Sequence, residues 1–138
     1  MVNPENVHAT RAQHVARMVR DRIIAEARKE VRSRIESAGG RWSDWAGIVA
    51  EALAGFLETD APRHVILYHA SQRTHPIYWR GRASDAMNTA TRRAVRAIGP
   101  LMAYQAMIRV LDSVCATLGE SDPLVQRLRE NDRESRRD

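Results

Sequence analysis

Val15, Val19, Ile23, Ala27, Val31 and Ile35 recur at every fourth position among polar neighbours, a spacing that predicts a helix over about Ala12 to Ser37. Each four-residue step advances about 40° past a full turn, so the apolar stripe winds around the helix. Its two ends are expected to face different neighbours, and Gly39 and Gly40 stop it. Trp45, Ile48, Val49, Ala52, Leu53, Phe56 and Leu57 then follow the i, i+3, i+4, i+7 pattern of a second helix, with Ser43 or Asp44 as N-cap and Pro62 beyond its end. Trp42 and Trp45 are expected in the core, since an indole buries a large apolar area.

Val65 to Tyr68 and Ile77 to Trp79 are too short for periodicity to decide between helix and strand. A short hairpin over about 63–81 is one reading. An isolated hairpin is marginal in an otherwise helical chain, so the favoured reading is a helix from Pro62 to about Arg73 and a loop through Gly81. From Ser84 the spacing of Met87, Thr91, Ala94, Val95 and Ile98 is helical until Gly99-Pro100, where a break or kink is expected. Leu101, Tyr104, Ile108, Leu111, Cys115 and Leu118 step 3, 4, 3, 4, 3 and predict the most buried helix, closed by Gly119. Asp122 and Pro123 open a last short helix with Leu124, Val125 and Leu128.

These elements predict an all-α, single-domain bundle of five or six helices. Residues 1–11 are expected to be a flexible N-terminus, 12–128 the helical domain and 129–138 a charged, frayed tail. The helix Leu101 to Leu118 is placed at the centre, with the Trp45 to Leu57 helix as its main partner.

Length and composition agree with one domain: 138 residues, 43% hydrophobic and 28% charged. The single cysteine, Cys115, has no disulfide partner within the chain. It lies on the apolar stripe, where a thiol is buried and inert. The first ten residues carry no apolar signal core, and the longest uncharged run, Ala97 to Ile108, is twelve residues against roughly twenty for a bilayer span. A cytoplasmic protein without a membrane segment is the expectation.

Charge alters the picture more. Arginine outnumbers lysine 21 to one, a bias that GC-rich coding explains, but its distribution is uneven. Residues 42–62 carry a net −4, whereas 63–109 carry eight arginines and one acid, Asp85, for a net +7. The chain has no Gly-rich phosphate loop, nucleophile elbow, HExxH or CxxC, and no two histidines stand four apart on a helix. No enzyme, metal site or cofactor is supported. The chemistry on offer is guanidinium beside aromatic rings, a mix suited to phosphates and bases. Arg73, Arg80, Arg82, Arg92, Arg93 and Arg96 are the candidate polyanion-binding residues, with Tyr78 and Trp79 as stacking rings.

Three functions follow as expectations. The first is a non-enzymatic protein that binds nucleic acid or another polyanion through this arginine face. The second is an interaction or assembly protein, an adaptor or a virion-type subunit, whose basic face meets an acidic protein surface or the acidic helix of another copy, making a homo-oligomer. The third rests on the order of a long Arg-rich helix, a Gly-Gly break and a tryptophan-bearing amphipathic helix over about residues 15 to 70. That order loosely resembles the start of the ligand-binding half of TetR-type regulators, without their DNA-binding half. The resemblance implies a bundle that dimerises or holds a small apolar ligand.

Overall fold

The computed structural model describes residues 4–76, 79 and 81–137, and among them every regular element is a helix. In chain order these are α1 (Pro4–Ser37), α2 (Trp42–Leu57), α3 (Asp60–Arg73), α4 (Ala83–Leu118) and α5 (Pro123–Arg137). The all-α bundle is therefore present with five helices, and Val65 to Tyr68 lies within α3 rather than in a hairpin.

The four-residue stripe of α1 forms the heart of the core: Val15, Val19, Ala27, Val31 and Ile35 are fully buried and Ile23 nearly so. The winding of this stripe distributes its neighbours as its period requires. Near the N-terminal end, the His8 ring meets the Ser71 carbonyl of α3 at 3.0 Å, and Met18 Sδ accepts from Thr91 Oγ1 of α4 at 3.7 Å. At the C-terminal end, the guanidiniums of Arg28 and Arg32 lie 5.8 Å from the Trp42 ring of α2. There Arg34 also reaches Asp132 of α5 at 4.0 Å.

Several expectations are corrected. Helix α1 begins at Pro4, so the N-terminal segment is helical well ahead of Ala12, and α5 continues to Arg137 through the segment expected to fray. Helix α4 runs as one 36-residue helix through Gly99-Pro100. Pro100 removes one backbone donor but is exposed, so the Arg96 carbonyl it leaves without a helical partner stands on the solvent side. The expected N-cap of α2 also shifts by two residues or more. Arg41 and Arg82 occupy the N-cap positions of α2 and α4 with no side-chain hydrogen bond, while Ser43 and Ser84 lie inside the first turns. Asp122 does cap α5, its Oδ1 accepting from Leu124 N at 2.8 Å.

The largest correction concerns α4. Its buried seam is Ala86, Ala90, Ala94, Ile98, Met102, Ala106, Val110 and Val114, again every fourth residue. The central pair is α1 with α4, and α2 is a lesser neighbour of α4 than α1 or α3. Two four-residue seams on facing helices suit packing of i±4 ridges into each other's grooves. The alanines in the N-terminal half of α4 allow a close approach there. By contrast, Leu101 and Tyr104 on the 3, 4 stripe are 62% and 52% exposed.

Candidate polyanion interface

The first half of α4 carries the arginine cluster. Its buried seam turns Ala86, Ala90 and Ala94 inward, so Arg92, Arg93 and Arg96 emerge on the opposite side, and all three are exposed. Arg82, at the N-cap, is exposed on that side too. Arg73 ends α3 and lines a shallow groove of about 290 Å³ shared with Gln72, Ala86, Thr89, Ala90 and Arg93. The structure thus brings Arg73 and Arg93 to one groove at the junction of α3 and α4, with Arg82, Arg92 and Arg96 exposed along the same end of α4. Arg80 and Tyr78 lie outside the described residues.

Trp79 is placed differently from a free stacking platform. It is half-buried against the core, and the Arg11 guanidinium covers its ring 4.7 Å from the centroid. That contact joins residues far apart in sequence, which no local pattern could have signalled.

The α4 arginines stand together without an acidic partner. Among the described residues, no carboxylate lies within ion-pair distance of Arg82, Arg92, Arg93 or Arg96, and the acids at the α2–α3 junction are engaged elsewhere. Glu58 accepts from Arg20 Nη1 at 3.1 Å and Asp60 pairs with Arg63 at 3.4 Å. Glu120 accepts from Arg129 Nη2 at 2.6 Å, a hydrogen bond that holds its carboxyl below the usual range. Arg73 is held in place by its own helix, with Nη1 3.1 Å from the His69 carbonyl and 3.2 Å from His69 Nδ1. Partial burial, and secondarily this guanidinium, lower the His69 pKa, so the ring is neutral at pH 7 and can accept from Arg73.

Cys115 is buried, and its thiol pKa is raised, chiefly by burial. A thiolate reagent should label native Cys115 much more slowly than denatured protein, as followed by mass spectrometry. Equal rates would show that α4 presents Cys115 to solvent.

By length and composition α4 is apolar enough to span a bilayer, although its Ile98 to Val114 seam is buried against the other helices. The chain matches no protein-family model, no curated protein and no solved structure.

Proposed function

We propose that the protein is a non-enzymatic polyanion-binding module that engages phosphate groups through Arg73, Arg82, Arg92, Arg93 and Arg96. The observation that carries this reading is the grouping of exposed α4 guanidiniums, none of them within ion-pair reach of a carboxylate among the described residues, beside Arg73 of α3. Unpaired guanidiniums grouped on one helical face repel one another, and a row of phosphates relieves that repulsion while releasing condensed counterions. The groups are exposed and mobile at their tips, so the expected binding is to the backbone, with little reading of base sequence. Trp79 is not part of this surface.

Binding to a short DNA or RNA duplex should weaken with salt, log K falling with log salt at a slope of roughly −4 for four to five phosphate contacts. Replacing Arg92, Arg93 and Arg96 together by alanine should flatten the slope by roughly three. Unfolding should move little, because these side chains contribute nothing to the core. A salt-independent interaction, or a triple variant that binds like the parent, would remove the basis of the proposal.

A further inference from the structure

Helix α4 carries two apolar seams, and only the inner one is covered by the chain along its whole length. The inner seam has the four-residue step described above. The outer one is Ala97, Leu101, Tyr104, Ile108, Leu111, Cys115 and Leu118, with the 3, 4 alternation of a coiled-coil stripe. Along its length the outer seam changes character. Leu101 and Tyr104 project into solvent, 62% and 52% exposed. Ile108 and Leu111 are half-buried and Cys115 is buried, and they form the α4 wall of a groove of about 670 Å³ whose facing walls, from α1 and α5, carry Arg34, Arg129 and Asp132 beside Leu128.

We infer that this outer seam is the interface of a homodimer in which the α4 helices of two copies pair antiparallel. A projecting half followed by a recessed half complements itself only when the second copy runs in the opposite direction. In that register Leu101 of each copy lies opposite Leu111 of the other, Tyr104 opposite Ile108 and the small Ala97 opposite Cys115. These layers repeat about a two-fold axis, as an isologous contact requires.

Charge selects the same orientation. The first half of α4 bears Arg92, Arg93 and Arg96 against the single acid Asp85, whereas its C-terminal end and the following turn bear Asp112, Glu120 and Asp122, with no base between Arg109 and Arg127. An antiparallel pair runs the basic half of one copy beside the acidic end of the other, and a parallel pair sets like against like. Both readings draw on the α4 arginines, but the dimer is read by mass and the polyanion surface by salt-dependent binding, so each fails by its own measurement.

Light scattering on the full chain should give twice the 15.6 kDa of one chain. Leu101→Glu with Tyr104→Glu should shift it to the monomer while the helical circular dichroism is retained, since both positions are exposed. Orientation is read by disulfide trapping in a Cys115→Ser background. A Leu101→Cys chain mixed with a Leu111→Cys chain should cross-link as the heterodimer in preference to the Leu101→Cys homodimer. A monomer at all concentrations, a dimer indifferent to the double glutamate variant, or predominant Leu101→Cys self-trapping would each overturn the inference.

Discussion

Ile23→Ala should destabilise the protein by about 2–5 kcal/mol, the range for removing a buried aliphatic side chain whose cavity cannot collapse. Ile23 is 1% exposed and stands midway along the α1 stripe, in the helix that packs most extensively on the others. Its neighbours along the stripe are all buried, and close-packed surroundings held by several helices relax poorly. Against a total stability of roughly 5–15 kcal/mol, the loss takes a large share and should lower the melting temperature by roughly 6–15 °C. Ile23→Val keeps most of the volume and should cost about 0.5–1.5 kcal/mol. Arg22→Ala, one residue away and exposed, should lie within about 0.5 kcal/mol of the parent. Chemical denaturation of the three variants checks the order, and an Ile23→Ala loss no larger than that of Arg22→Ala would mean the stripe is not the core.

Glycine substitutions should divide sharply by position. A Cβ on Gly40 would sit 2.6 Å from Ile35 Cγ2, 3.1 Å from the Ile35 carbonyl oxygen and 3.2 Å from Leu124 Cδ1. Ile35 is fully buried, and its carbonyl accepts from Gly40 N at 2.8 Å in the turn that ends α1, so neither atom can move aside cheaply. Gly40→Ala should therefore cost about 1–3 kcal/mol and loosen the seating of α5 on α1. At Gly47 and Gly55, inside α2, an added methyl meets nothing within 4 Å. There the alanine variants should stabilise by roughly 0.5–1 kcal/mol each, because glycine loses more freedom than alanine on entering a helix. Thermal melts should move in opposite directions, and a stable Gly40→Ala would show that the turn has room the distances deny.

Much of the architecture could be read from the residues, and the failures have one physical origin. The stripe of α1 and the amphipathic pattern of α2 were visible because their buried positions hold Val, Ile, Leu and Phe, and α3 was expected to end at Arg73, as it does. On α4 the large side chains mark the outer seam, while much of the true inner seam is written in alanine, whose small apolar area makes a weak periodic signal. The eye follows Leu101 and Tyr104, and the close contact follows Ala86, Ala90 and Ala94. Choice of partner was not legible either, since a period tells that a face is buried and not against what. For the candidate site, the charge run disclosed Arg92, Arg93 and Arg96. That Glu58 is claimed by Arg20 depends on tertiary placement, as does the cover of Trp79 by Arg11, whereas Asp60 pairs with Arg63 one turn along its own helix.

The helix at the centre of the bundle is made well before its main partner. Once α1 has been synthesised, its main partner α4 follows only after some 46 further residues have appeared and is complete only at Leu118. At about 5–20 residues per second, the full apolar stripe of α1 waits roughly 4–16 s for its cover. Helices α2 and α3, made in the interval, can shield part of it, and the rest stays open to whatever binds nascent apolar surface. Truncated chains that stop before α4 should accordingly aggregate or be held by chaperones, and the folded state becomes available only once α4 has been made.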